Sequence, residues 1–154
     1  MAILRDYQKD CLGAIKARMG DINRQLVALP TGTGKTMIFA HLPEVLGKKK
    51  MLVLAHREEL LDQAADKIGA ANPGLDVQIE QADRYASPAA DVVIASVPTI
   101  GRKGSARIQN FDPDGFPVIA ALRDALNADR AGVGVHHDFG DNHTALMLYV
   151  VYSF

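Results

Sequence analysis

Short apolar runs alternate with amphipathic segments along the first two-thirds of the chain. The runs that predict buried strands are 25–29, 51–55, 76–80 and 91–97. Residues 57–68 predict the clearest helix between these strands. Its apolar stripe consists of Leu60, Leu61, Ala64, Ala65 and Ile68. Strands and helices in alternation are typical of an α/β domain with a mainly parallel sheet.

Capping and helix-breaking residues set the ends of the predicted helices. Asp6 is expected to cap a first helix, since a short acidic side chain accepts hydrogen bonds from the first turn. A second helix is expected to begin near Lys35, to be kinked or shortened by Pro43 and to end at Gly47. Gly69 is the expected C-cap of the helix over 57–68.

The pattern becomes less regular in the last third of the sequence. A short helix is expected near residues 99–108. Residues 116–121 predict either a fifth strand or the start of a helix that continues to Leu126. Glycines interrupt the region that follows, although residues 146–152 are apolar enough for a last strand. We therefore expect an irregular C-terminal end.

The bulk composition is that of one small domain in a reducing compartment. A chain of 154 residues with 48% apolar and 23% charged residues suits a single core. The formal net charge of -1 excludes general binding of polyanions by charge alone, so any nucleic-acid contact must come from local basic groups. The single cysteine, Cys11, lies among helical apolar positions, which predicts a core thiol. The charged start of the chain carries no apolar signal segment, and we expect a cytosolic protein.

The string LPTGTGKT, residues 29–36, has the chemistry of a phosphate cradle. It follows a predicted strand and opens a predicted helix, which is the context that a P-loop requires. Glycines in the string allow backbone conformations closed to residues with a Cβ, so that successive N–H groups gather around an anion. Lys35 is expected to reach the β- and γ-phosphates of ATP, and the Thr36 hydroxyl to bind Mg²⁺. The residues expected to contact ATP here are Pro30, Thr31, Gly32, Thr33, Gly34, Lys35 and Thr36.

The surroundings of this string point to a family. The general P-loop pattern has glycine where this chain has Leu29, but PTGTGKT resembles motif I of superfamily 2 helicases, in which a leading glycine is not the rule. The segment LRDYQ, residues 4–8, resembles the family's element upstream of motif I. The resemblance implies that Gln8 reads the adenine edge, for which an amide has the matching donor and acceptor, and that Arg5 and Tyr7 shape the base pocket. The alternative is that Gln8 is an exposed helix residue.

Two further segments resemble the nucleic-acid contacts of the same family. The segment AHREEL, residues 55–60, resembles motif Ia, and ASVPT, residues 95–99, resembles the next element that binds the nucleic-acid backbone. Both lie at carboxyl ends of predicted strands, where open α/β sheets bind ligands. For Arg57, a pair with a neighbouring carboxylate on a solvated face is the alternative. The residues that the resemblance assigns to nucleic acid are His56, Arg57, Ser96, Thr99 and Arg102, with added charge from Lys103 and Arg107.

One catalytic element of the family is missing from the sequence. Its motif II is an Asp-Glu pair at the end of the next strand, where the aspartate supports magnesium and the glutamate activates water. No Asp-Glu dipeptide occurs in this chain. Asp124 is the nearest acid after the last apolar run and is expected in a helical setting, whereas Asp112 and Asp114 precede that run.

The resemblance covers roughly residues 4–116 and implies the first of the family's two RecA-like domains, a three-layer P-loop fold. We assign residues 1–117 to a partial RecA-like ATP-binding domain and residues 118–154 to a diverged C-terminal segment packed on or trailing it. An altered reading frame, a truncation product and a diverged end are the alternatives for this segment. The second RecA-like domain, which completes the ATP cleft in the family, is not found in the sequence.

The resemblance implies the ATP-binding domain of a DNA helicase or translocase, with ATP and Mg²⁺ as ligands. Duplex or single-stranded DNA is the expected track, and RNA is the other candidate. Without motif II we expect nucleotide binding with little or no hydrolysis by this chain. A non-catalytic nucleotide-binding module that docks on a partner protein is the second interpretation. A different P-loop enzyme, such as a small-molecule kinase, is the third, and Gln8 with the segment like motif Ia argues against it.

Overall fold

The computed structural model describes residues 3–19, 21, 24–29, 34–47, 50–111, 115–124 and 146–152. The strands in these ranges are β1 Arg24–Leu29, β2 Met51–Ala55, β3 Val77–Glu80, β4 Val92–Ser96, β5 Val118–Asp124 and β6 Leu146–Tyr152. The helices are α1 Asp6–Arg18, α2 Lys35–Ala40, α3 Leu42–Val45, α4 Glu58–Ala71 and α5 Val97–Ile100, and a 3-10 helix spans Arg107–Asn110. The expected alternation of strand and helix is therefore present.

The described strands form one sheet in the order β1-β6-β5-β2-β4-β3. Each neighbouring pair in this order is parallel, which confirms the predicted parallel α/β class. The carboxyl ends of all these strands consequently lie at one edge of the sheet. In the centre, Ala55 at the end of β2 is level with Ser96 of β4 and Leu122 of β5.

Side chains alternate between two cores along the central strands, because successive residues of a strand point to opposite faces. Met51, Val53 and Ala55 of β2 lie in the core that contains buried residues of α1, α2 and α4. Leu52 and Leu54 lie in the second core, under α5 and the 3-10 helix. The rings of Phe111 and Phe116 meet edge to face in this second core, 5.6 Å apart. Elements on both faces of the sheet give the expected three layers.

Two predicted helix ends were wrong. Asp6 is the first residue of α1 rather than its cap, and Arg5 holds the cap position. Gly69 lies inside α4, which continues to Ala71. The helix ends before Asn72, whose backbone N–H and side-chain amide both donate to the Ile68 carbonyl, at 3.0 and 2.8 Å. Gly47 does have a positive φ of 76°, in agreement with its predicted role as a helix end.

The later elements differ from the sequence expectation in their extent. The helix expected near 99–108 is split into α5 and the 3-10 helix, with Gly104 at a φ of 84° between them. The alternative of a helix continuing to Leu126 is wrong, because β5 pairs with β2 on one side and with β6 on the other. The last strand has the predicted bounds. Both β5 and β6 belong to the main sheet, and the proposed domain boundary at residue 117 stays a prediction.

The described residues contain no helix long and apolar enough to cross a bilayer. The cytosolic location stays a prediction. Cys11 is half-buried against the core, and this burial raises the pKa of its thiol above the ordinary value.

The Asn72 amide is a structural link between α2 and α4. It is buried, and its Nδ2 donates to the carbonyl of Ala40, the last residue of α2, at 2.7 Å. We expect Asn72→Ala to lower the free energy of unfolding by about 1–3 kcal/mol, because the buried carbonyl of Ala40 loses its side-chain donor, whereas Ile68 keeps the backbone N–H of residue 72. Urea unfolding followed by circular dichroism measures this. The exposed Asn110 is the matched control, and Asn110→Ala should change stability by less than about 0.5 kcal/mol. Equal stability of both variants would contradict the assignment.

Candidate functional site

Gly34, the residue before α2, has a backbone that only glycine adopts readily. Its φ of 71° and ψ of 40° lie in the left-handed region. Space is short as well, since a Cβ built on Gly34 would lie 2.6 Å from Nε2 of Gln8. The Gly34 carbonyl accepts a hydrogen bond from the Gln8 amide at 3.3 Å and from the Met37 N–H at 2.9 Å. This residue therefore joins the start of α2 to α1.

Gln8 is buried, with 4% of its surface exposed, so the alternative of an exposed helix residue is wrong. Its Oε1 accepts the N–H of Arg5 at 2.9 Å, while its Nε2 donates to Gly34. One side chain thus connects the start of α1 with the last glycine of the LPTGTGKT string. Arg5 is exposed and lies 3.5 Å from the Tyr7 hydroxyl. The adenine role of Gln8 and the pocket role of Arg5 stay predictions.

The phosphate cradle is only partly within the described residues. Pro30, Thr31, Gly32 and Thr33 lie outside them. Lys35 begins α2, one residue after Gly34, and Thr36 follows, half-buried in the first turn. Among the described residues no group of three or more His, Cys, Asp or Glu side chains is suited to a metal. The role of the Thr36 hydroxyl as a ligand of Mg²⁺ stays a prediction.

The predicted nucleic-acid residues lie at one edge of the sheet. His56 and Arg57 follow β2 and are exposed, and Arg57 holds the N-cap position of α4 without a capping hydrogen bond from its side chain. Ser96 ends β4, where it is buried, and holds the N-cap position of α5 in the same way. Because Ala55 and Ser96 are in register, the segments after β2 and β4 emerge side by side. Both segments thus lie at carboxyl ends of strands, as predicted, and their contact with nucleic acid stays a prediction.

A groove of about 550 Å³ lies beyond the end of β4. Its lining carries three basic side chains and no acidic one. Arg102 and Lys103 are exposed, whereas the Thr99 hydroxyl accepts the Ala82 N–H at 3.2 Å. The groove is lined by Ala82, Pro98, Thr99, Arg102, Lys103, Gly104, Ser105 and Arg107. The exposed Arg102 and Lys103 suit this groove to phosphate.

The third basic residue of the groove, Arg107, has a structural partner that sequence reasoning missed. Its Nε donates to Glu80 Oε1, and the Glu80 side chain is only 2% exposed. Its Nη1 and Nη2 donate to the carbonyls of Ala82 and Arg84 at 2.7 and 2.9 Å. Most of the guanidinium donors are thus engaged within the chain. Arg107 fixes the loop after β3, which distinguishes it from the exposed Arg102 and Lys103.

Asp124 is in a strand, and the expectation of a helical setting is wrong. It is the last residue of β5, level with Tyr152 at the end of β6. The apolar run alone was compatible with a strand or with the start of a helix, and the pairing of β5 with β2 and β6 shows that it is a strand. The β5 backbone therefore brings an acidic residue to the carboxyl edge, two strands from β1.

Comparison with known proteins shows which family the chain resembles. A family model described as type III restriction enzyme, res subunit, matches residues 2–121. The chain is 31% identical over 122 residues to the putative mitochondrial ATP-dependent helicase irc3 of Schizosaccharomyces pombe, covering 75% of this chain and 20% of that protein. It is 34% identical over 129 residues to the putative ATP-dependent helicase IRC3 of Saccharomyces cerevisiae, covering 76% and 18%. The chain spans about a fifth of the length of these relatives.

A solved structure shows the same fold. The SWI2/SNF2 ATPase core of Sulfolobus solfataricus in complex with dsDNA matches 99% of this chain and 32% of that chain, with a TM-score of 0.75 and 14% identity. This likeness bears on the fold alone and confirms the predicted RecA-like architecture.

Gly34 provides a test of the junction with Gln8. We expect Gly34→Ala to cost about 1–2 kcal/mol of stability through its positive φ, and to weaken nucleotide binding because Gln8 must move away. The matched control is Gly13→Ala in α1, where an added Cβ meets nothing within 4 Å and should stabilise the helix by roughly 0.5–1 kcal/mol. Urea unfolding and titration with a fluorescent ATP analogue measure both effects.

A double variant separates the two causes. Adding Gln8→Ala to Gly34→Ala removes the clash but leaves the backbone strain, so the two changes should be strongly non-additive. Additive effects, or a Gly34→Ala protein that behaves like Gly13→Ala, would show that the junction has no such role.

Proposed function

This chain belongs to the family of the type III restriction enzyme res subunit, as an N-terminal RecA-like domain of superfamily 2 helicases, and we propose that it binds ATP with Mg²⁺ next to a nucleic-acid track. The observation that carries the proposal is the hydrogen-bonded junction between Gln8 and Gly34. It holds the segment assigned to the base and the segment assigned to the phosphates in contact.

Each residue has a proposed task in nucleotide binding. The backbone of 30–34 surrounds the phosphates, and the Lys35 ammonium neutralises the β- and γ-phosphates. The Thr36 hydroxyl is the protein ligand of Mg²⁺, which supplies charge neutralisation for the phosphates when it is bound. Gln8 recognises adenine through its amide. Arg5 is exposed at the start of α1, next to Gln8, and closes the base side.

The nucleic-acid track is proposed to cross the carboxyl edge of β2 and β4. The proposed contacts lie at the ends of these two strands or just after them, at His56, Arg57, Ser96, Thr99 and Arg102. The register of β2 and β4 and the cationic groove support this placement. DNA is the proposed track, since a structure with this fold is described in complex with dsDNA, and RNA is the alternative.

We further propose that this chain alone hydrolyses ATP poorly. The strand after the ASVPT segment, residues 95–99, is β5, and it ends in Asp124 followed by Ala125. The family's pair needs a glutamate at that second position to activate water. Asp124 is a candidate for the aspartate that supports magnesium. Ala125 stands where the family has the glutamate that activates water, and alanine cannot take that role.

A non-catalytic nucleotide-binding module that acts through a partner is the second candidate function. The same Asp-Ala pair favours it, because binding without turnover suffices for such a role. The helicase role instead requires a second RecA-like domain to complete the ATP cleft. Capture of a defined partner protein only in the ATP-bound state would favour the module.

Lys35 tests the nucleotide site. We expect Lys35→Ala to weaken ATP binding about 10- to 100-fold, because a charged hydrogen-bond donor to the phosphates is lost. Adenosine affinity should stay unchanged, since base contacts do not involve the ammonium. The matched control is the exposed Lys67 of α4, and Lys67→Ala should bind ATP like the wild type. Isothermal titration with ATP and adenosine decides, and unchanged ATP affinity in Lys35→Ala would exclude the proposed site.

Phosphate release tests the hydrolysis proposal. We expect a malachite-green assay to show little turnover with Mg²⁺ and ATP, both without and with DNA, because no glutamate follows Asp124. An intact two-domain helicase serves as the positive control. Robust turnover that rises on addition of DNA would refute the proposal that this chain is deficient.

A further inference from the structure

Tyr85, in the loop after β3, is an exposed aromatic side chain held from beneath. Its residue surface is 74% exposed. The guanidinium carbon of Arg107 lies 4.2 Å from the centre of its ring, which is cation–π geometry. Arg107 therefore covers one face of the ring, and the opposite face is open to solvent.

The loop that carries Tyr85 is fixed at many points. Arg107 donates to the carbonyls of Ala82 and Arg84, which lie before the tyrosine. Glu80 accepts the N–H of Ala86, just after the tyrosine, at 2.6 Å. Arg84 also pairs with Asp62 of α4 at 2.9 Å. A ring held in this way loses little conformational entropy when a ligand stacks on it.

The ring stands beside the cationic groove and far from the nucleotide site. Arg107 both supports the ring and lines the groove with Arg102 and Lys103. The P-loop strand β1 and the strand β3 are at opposite edges of the sheet. Five strand spacings separate them, or about 24 Å at roughly 4.8 Å each. A ligand on Tyr85 is therefore distinct from ATP in the cradle.

We propose that Tyr85 stacks a base of single-stranded nucleic acid whose neighbouring phosphates lie in the groove against Arg102 and Lys103. This inference rests on the proposed nucleic-acid function and adds a base contact to it. A flat exposed π-face beside cations fits a ligand with alternating aromatic and anionic groups. Duplex bases are already stacked on each other, so the contact selects single strands or unpaired ends.

The experiment combines a change in the ring with a change in the base. Fluorescence anisotropy is measured with labelled dT12 and with a strand of the same length in which abasic residues replace the thymidines. We expect the wild type to bind dT12 about 5- to 100-fold more tightly than the abasic strand, and Tyr85→Ala to lose this difference. Tyr85→Phe keeps the ring and should bind dT12 like the wild type.

Controls separate stacking from charge and from folding. Arg102→Ala should weaken both strands alike and reduce the slope of log Kd against log salt by about 0.7. Ile3→Ala removes another exposed apolar side chain and should leave both affinities unchanged. Thermal unfolding of Tyr85→Ala should match the wild type, since the tyrosine is mostly exposed.

Three results would overturn the inference. If Tyr85→Ala binds dT12 as tightly as the wild type, the ring takes no part and only this inference fails. If Tyr85→Ala weakens dT12 and the abasic strand equally, the tyrosine shapes the groove instead of stacking a base. If the wild type binds neither strand, the proposed nucleic-acid function fails, and the stacking role fails with it.

Discussion

The contact between Gln8 and Gly34 is the constraint on which the rest of the site depends. The glycine takes a left-handed backbone, and the amide occupies the space that a side chain would fill, so the two residues require each other. Gln8 also accepts the Arg5 N–H, which ties the start of α1 to the start of α2. One residue of the segment assigned to the base and one of the segment assigned to the phosphates are consequently held together by the fold.

Local sequence patterns predict this fold well wherever burial alone decides. The strands at Met51–Ala55 and Leu146–Tyr152 have the predicted bounds because each is a continuous apolar run. The predicted stop at Gly69 failed because a helix tolerates an interior glycine, and α4 instead ends before Asn72, whose side chain donates to Ala40 of another helix. Asp124 was misplaced because a short apolar run is ambiguous until its neighbours in the sheet are known.

The sequence motifs of the proposed site could be recognised, but the side chains that hold its loops in place could not. Gly34 and Gln8 stand in strings that resemble the family's motifs, and a hydrogen bond joins them in the fold, while their roles toward ATP stay predictions. Arg107 and Glu80 are 27 residues apart and belong to no periodic pattern, so no local signal joins them. From sequence, Arg107 is one more cation beside Arg102 and Lys103. In the fold, its guanidinium donates to the carbonyls of Ala82 and Arg84 in the loop of Tyr85.

The separation of the two proposed ligands limits what this fold achieves alone. A nucleotide at β1 and a nucleic-acid strand beside β3 are connected through a single parallel sheet whose central strands are buried on both faces. Coupling between sites requires an element with two arrangements that each ligand stabilises differently. A closely packed sheet among the described residues offers little room for a second arrangement. The coupling of a translocase is therefore expected to arise where a second domain closes over the carboxyl edge, while this domain supplies fixed binding surfaces for both ligands.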